Sequence, residues 1–84
     1  MKEFTKVRIA KRADANNEID SHFLTFTAWS KGDKNRVYIN DYKRRTLGFI
    51  DLDNNHNVVI NDRQGNMQSE IDFAIAAFVA EYIA

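Results

Sequence analysis

From Ser21 to Asn61 the chain repeats one pattern: short alternating runs of aromatic and β-branched residues, separated by clusters of Gly, Asn, Asp and Lys. The runs are Ser21–Ser30 (SHFLTFTAWS), Arg36–Tyr42 (RVYINDY), Thr46–Leu52 (TLGFIDL) and Asn57–Asn61 (NVVIN). A period of two marks a half-buried strand, and connections this short join antiparallel neighbours. The pattern also specifies register. Pairing Trp29 with Arg36 sets Ala28 against Val37 and Phe26 against Ile39 on one side. The other side then holds Trp29–Arg36, Thr27–Tyr38, Thr25–Asn40 and Phe23–Tyr42. A slip by one residue would mix the two sets. Carried through the next hairpins, the alternation places Ile50, Leu52, Val58 and Ile60 with Phe26, and Leu47 and Phe49 with Tyr38.

Two segments flank this meander. Phe4–Ala10 alternates as well, with Thr5, Val7 and Ile9 on one side and Lys6 and Arg8 on the other, which predicts a strand. Laid over the sheet, that strand would cover part of the Tyr38 face with Val7 and Ile9. Lys11–Asp20 is polar and reads as a loop, and Lys31–Asn35, Lys43–Arg45, Asp53–His56 and Asp62–Asn66 read as turns. Ser69-Glu70-Ile71-Asp72 is a variant of the capping-box pattern with acids in the first turn, so a helix is predicted from Ser69 to about Ile83. Its stripe of Ile71, Ile75, Phe78, Val79 and Tyr82 should pack on Leu24, Phe26, Val37, Ile39, Ile50, Leu52 and Ile60. The expected fold is α+β: an antiparallel sheet of four to five strands, a β-meander, packed on one C-terminal α-helix, with residues 1–84 forming a single domain.

Composition narrows the chemistry. The chain has no Cys and no Pro, which excludes a disulfide scaffold, a thiolate zinc site, a cysteine nucleophile and a Pro-rich linker. No apolar run approaches the ~20 residues of a membrane-spanning helix. At 44% hydrophobic and 12% aromatic the chain has enough apolar material to fold. A domain of 84 residues buries only about 60–65% of its unfolded surface, so a dense core, self-association or a partner must supply the rest of its stability. Met1–Thr5 lacks the apolar stretch of a signal peptide, and a cytoplasmic location is expected.

Two surfaces remain after the core is assigned. The outer sheet face carries Phe23, Trp29, Tyr38, Tyr42, Leu47 and Phe49, where a solvated face would be polar. Residues 30–45 hold six basic and two acidic groups, a net of +4, whereas residues 46–84 hold one basic and six acidic, a net of −5. Aromatic rings beside Arg are the residue types that anchor interfaces. Trp29, Arg36, Tyr38 and Tyr42, with the tip Lys43, Arg44 and Arg45, are therefore the candidate partner-binding residues, and an acidic protein surface is the expected partner. The same rings and cations could stack bases and neutralise phosphates, which makes a nucleic-acid binder the alternative. The back of the helix carries Phe73, Ala77, Ala80 and Ala84, a small-residue stripe that predicts self-association as a homodimer.

Other constellations are weaker. Asp51, Asp53, Asn55, Asn57 and Asp62 fall at positions 1, 3, 5, 7 and 12 of a calcium-loop frame. His56 stands where that frame needs Gly, and the flanks read as strands, so a plain turn is expected and no metal. His22 and His56 lie far apart, and neither has a neighbouring Ser or carboxylate with triad logic. With no Gly-rich phosphate loop either, no catalytic residue, cofactor or enzymatic activity is expected. The order of strands followed by one helix is similar in topology to the DNA-binding modules of plant AP2 proteins and integrase arm domains. Their arginine-rich strands are absent here, and this chain has one more strand before its helix. The format, one tiny domain with large contact faces and no catalytic motif, is similar in kind to phage-borne inhibitors of host defence. The expected function is a small protein–protein interaction module, an inhibitor or accessory protein that acts by surface occlusion and performs no chemistry.

Overall fold

The computed structural model describes residues 3–13, 23–32 and 34–83. It holds five strands, β1 (Lys6–Ala10), β2 (Phe23–Lys31), β3 (Lys34–Asn40), β4 (Thr46–Asp51) and β5 (Asn57–Ile60), followed by helix α1 (Gln68–Phe78), which continues as a π-helical segment over Val79–Ile83. The strands form one antiparallel sheet in the order β1-β2-β3-β4-β5. The expected α+β meander with a C-terminal helix is therefore the fold observed.

The β2–β3 ladder has the register that alternation specifies, Thr25↔Asn40, Phe26↔Ile39, Thr27↔Tyr38, Ala28↔Val37 and Trp29↔Arg36. The hairpin closes more tightly than Lys31–Asn35, because Lys31 pairs with Lys34 and Gly32 takes φ 64°, a value glycine adopts without steric cost. Tyr42 does not extend β3 to meet Phe23. The strand ends at Asn40, because the Asp41 carboxylate accepts the amides of Lys43 and Arg45, both at 2.9 Å, and turns the chain there.

β1 does not lie over the outer face. It adds to the edge of the sheet beside β2, with Val7↔Phe26 and Ile9↔Leu24, so Val7 and Ile9 pack against the core while Lys6 and Arg8 join the outer face. Leu47 also departs from simple alternation. Ile39 pairs with Gly48 and Asn40 with Thr46, which leaves Leu47 as the extra residue of a β-bulge. The bulge turns its side chain inward, where it is fully buried in the main cluster.

The core joins Leu24, Phe26, Val37, Ile39, Leu47 and Ile50 of the sheet to Ile71, Ala74, Phe78 and Ile83. The innermost line of the helix is Ile71, Ala74 and Phe78, while Ile75, Val79 and Tyr82 are half-buried beside it. Phe78 is the hub. Its ring stacks on Phe26 at 4.4 Å and 4°, on Tyr82 at 5.1 Å, and meets Phe4 edge-on at 5.0 Å. Such pairs add roughly 0.5–1.5 kcal/mol each beyond the area they bury.

The helix begins one residue before Ser69, at Gln68, with Met67 as its N-cap. Met67 has no capping oxygen, and Glu70 reaches back to its amide at 3.3 Å, forming half of a capping box. The loop before the helix is tied to the end of β1. Lys11 is buried, and its Nζ donates to Asn66 Oδ1, which is buried as well. Residues 14–20 of the expected Lys11–Asp20 loop lie outside the described residues.

Gly48 is required by close approach. A Cβ there would stand 1.9 Å from the Val59 carbonyl oxygen of the neighbouring strand. Gly48→Ala must push β4 and β5 apart or undo the bulge that buries Leu47. We expect a loss of about 3 kcal/mol or more, beyond ordinary overpacking, out of the roughly 4–13 kcal/mol available to a domain of this length. Urea unfolding followed by circular dichroism measures it, and a wild-type midpoint would show that the strands separate freely.

Candidate partner-binding face

The outer face is built in rows across the strands. One row runs Trp29, Arg36, Asp51 and Asn57, and the next runs Lys6, Thr27, Tyr38, Phe49 and Val59. Trp29 is 52% exposed, which places a large ring in solvent at one end of the face. Beside it the Arg36 guanidinium lies over the Phe49 ring at 3.9 Å, and its Nε is buried without a hydrogen-bond partner. Tyr38 leans on Phe49 as well, with ring centroids 6.1 Å apart, and is half-buried. Tyr38 therefore supports the face, and Trp29 and Tyr42, the latter 44% exposed, are the rings a partner can grip.

Arg8 repeats the cation–ring arrangement over Phe23 at 4.9 Å. The outer-face positions of the described strands hold Lys6, Arg8, Lys34 and Arg36 against one acid, Asp51. Sequence reasoning did not include Lys6, Arg8 or Phe49 among the partner-binding residues. For Lys6 and Arg8 the signal was present in the alternation of Phe4–Ala10, but alternation does not say which strand β1 joins; Phe49 was already placed on this face by parity.

The basic tip follows from Asp41. This residue is 5% exposed, and besides its two carboxylate bonds its carbonyl accepts the Arg44 amide at 3.0 Å. A turn followed by a left-handed residue results, and Arg44 occupies the left-handed position with φ 65°. Lys43 stands over the Tyr42 ring at 5.6 Å, and Arg45 Nη1 donates to Gln64 Oε1 at 2.9 Å. Lys43, Arg44 and Arg45 are all exposed. From the Trp29–Arg36 row to Asn40 is four residues of strand, or about 13 Å at ~3.3 Å per residue, so the Tyr42–Arg45 tip and Trp29 stand near opposite ends of the β2–β3 hairpin.

Beside Trp29 the end of the sheet opens into a groove of about 850 Å³, floored by Phe4, Ala28 and Leu52 and rimmed by Asp53 and His56. No pattern in the sequence indicated it, because its walls come from four separate segments.

The calcium-frame residues are not brought together. Asn57 donates to the Asn54 carbonyl at 3.1 Å with Asn55 and His56 at φ 55° and 58°, a tight turn of the primed type. The Asp51 carboxylate accepts the Asp53 amide, and Asp53 accepts the Asn35 amide at 2.8 Å. Asp62 sits beside Leu47 at the opposite end of β4, four residues or about 13 Å from Asp51, beyond the reach of a shared ion. Among the described residues no group of three or more His, Asp or Glu could hold a metal. His22 lies outside the described residues. On the helix, Phe73 is 38% exposed, Ala80 is exposed and Ala77 is half-buried, while Ala84 lies outside the described residues.

No family model, no curated protein and no solved structure matches this chain. Among the described residues no helix is long and apolar enough to cross a membrane.

Two expectations follow. Millimolar calcium should leave the melting temperature unchanged, whereas a rise of several degrees would reveal a native-state site. Arg44→Gly should leave stability equal or raise it by about 0.5–1 kcal/mol, since Gly relieves the left-handed strain. A melting temperature several degrees lower would show that the Arg44 side chain holds the turn together.

Proposed function

We propose that this chain is a non-enzymatic interaction module that occludes an acidic protein surface with its outer sheet face. The observation that carries the reading is Trp29: a ring half in solvent, beside a groove, on a face where cations outnumber acids. Large aromatic anchors next to a pocket are what interface hot spots consist of. Arg36 is already seated on Phe49, so less of its freedom is lost when a partner docks. Arg44 supports the same reading. A left-handed non-glycine residue costs about 1–2 kcal/mol, and here that cost retains a charge at the apex of the tip.

A protein partner fits better than nucleic acid. The two exposed rings stand near opposite ends of the β2–β3 hairpin, whereas a single strand stacks its successive bases on adjacent rings.

The test uses immobilised protein and lysate of the source cells. Trp29→Ala should abolish capture of the bound protein, with an affinity loss of about 2 kcal/mol or more, roughly 30-fold. Its unfolding midpoint should stay near the wild-type value, because half of the residue already lies in solvent. Titration with a dT oligonucleotide at low salt separates the alternative. Tight binding that collapses as salt rises, with no protein captured, would overturn the reading in favour of nucleic acid.

A further inference from the structure

The two edges of the sheet are protected differently. β1 carries Lys6 and Arg8 within the strand and has α1 packed against it. Charges and a covering helix discourage a further strand from adding there. β5 has none of these devices. Residues 57–61 are uncharged, the chain has no proline, and the β4–β5 register runs unbroken from Gly48↔Ile60 to Asp51↔Asn57. The helix packs on β1 and β2, and Val58 is left 39% exposed.

The direction of the free backbone groups at this edge follows from one bond. Asn61 donates its amide to the Leu47 carbonyl at 2.8 Å. In an antiparallel ladder alternate residues face the same neighbour, so Asn57, Val59 and Asn61 bond to β4. The other side of β4 agrees, since the Leu52 amide faces β3 and donates to the Asn35 carbonyl. Val58 and Ile60 therefore direct their N–H and C=O groups outward, towards the open edge.

We propose that β5 is a docking edge for a second copy of this chain, paired antiparallel about a two-fold axis through Val59 and perpendicular to the sheet. The segment Asn57-Val58-Val59-Ile60-Asn61 reads almost the same in both directions. In this register Asn57 meets Asn61 of the second copy, Val58 meets Ile60, and Val59 meets itself. Each Val58–Ile60 pair exchanges both of its outward backbone hydrogen bonds. The terminal amides, each both donor and acceptor, match at the two ends. No like charge is opposed, in contrast to β1, where a two-fold axis through Val7 would set Lys6 against Arg8 of the second copy. An isologous interface needs this kind of self-complementary patch. The axis keeps both outer faces on the same side of a continuous sheet, so the dimer presents two Trp29 patches side by side. The dimer stands independently of what those patches bind. A four-residue edge gives a small interface, and dissociation in the range of roughly 10 μM to 1 mM is expected.

Sedimentation equilibrium over that concentration range tests the proposal. The wild-type mass should rise from 9.8 kDa towards its double. Val58→Pro should stay at 9.8 kDa with an unchanged circular dichroism spectrum, because the amide it loses faces the edge and serves no bond within the chain. Val59→Pro, whose amide faces β4, should unfold. Val58→Lys should also remain monomeric, and it decides the matter if the proline variant does not fold. A wild type that stays at 9.8 kDa throughout would overturn the proposal. So would Val58→Lys dimerising like wild type, and loss of the dimer in Ala77→Arg alone would then move the contact to the back of the helix.

Discussion

The parallel stack of Phe26 on Phe78 decides how the two layers of this protein meet. Its centroid distance of 4.4 Å fixes the height of the helix above β2, and the edge-on contact of Phe4 and the stack of Tyr82 hold the Phe78 ring from two further directions. Because Phe26 lies on β2, the helix sits over the β1–β2 side of the sheet. The buried Lys11–Asn66 bond acts in the same sense, joining the end of β1 to the loop that enters the helix. One side of the sheet thus gains a lid and a charged edge. The other side ends in β5 with an exposed valine and an uncharged edge. The asymmetry on which the proposed dimer rests is a consequence of where one aromatic pair was placed.

Local polar chemistry completes what the core does not reach. Asp41 gathers the Lys43, Arg44 and Arg45 amides onto its own oxygens and so ends β3. Those bonds are internal to the turn, which leaves the Lys43 and Arg44 side chains for solvent. On the sheet, Arg36 and Arg8 lie on the Phe49 and Phe23 rings. An aromatic face that would otherwise be plainly apolar is in this way sheathed in cations, and Trp29 rises from it uncovered.

Much of this architecture was legible because period-two alternation is a geometric constraint. In β2 and β3 one face is buried, so any other register would have put Phe26 and Ile39 in water. The expectation failed where a backbone feature overrode the count. Leu47 reads as outward-facing by parity, and only the close approach at Gly48 tells otherwise; a lone glycine inside TLGFID was the available signal. Tyr42 reads as strand because it continues the alternation, yet an Asp just before it offers the chain a competing set of hydrogen bonds. β1 was recognised as a strand but not placed, since its pattern fits a covering segment as well as an edge. In the helix, alanine at 74 carries little weight on a hydrophobic stripe, although its small size lets the helix sit deep on the sheet. Of the candidate face, the residue types were readable, but the division into exposed grips at Trp29 and Tyr42 and a half-buried support at Tyr38 needed the positions of Phe49 and the tip.

A net charge of zero is a poor description of what a partner meets. The chain separates its charges, with the basic groups concentrated in residues 30–45 and the acids of the helix, Glu70, Asp72 and Glu81, carried by the other layer. At physiological ionic strength the screening length is about 8 Å, while the molecule extends 35 × 24 × 19 Å. A surface approaching the outer face is therefore screened from the helix and responds to Lys6, Arg8, Lys34, Arg36 and the tip. Lowering the salt lengthens the screening distance until the acidic layer also counts. Attraction to an acidic partner should then grow less steeply than the number of basic contacts alone implies. Separated charges of this kind steer orientation, turning the aromatic face towards an acidic surface and the helix away from it.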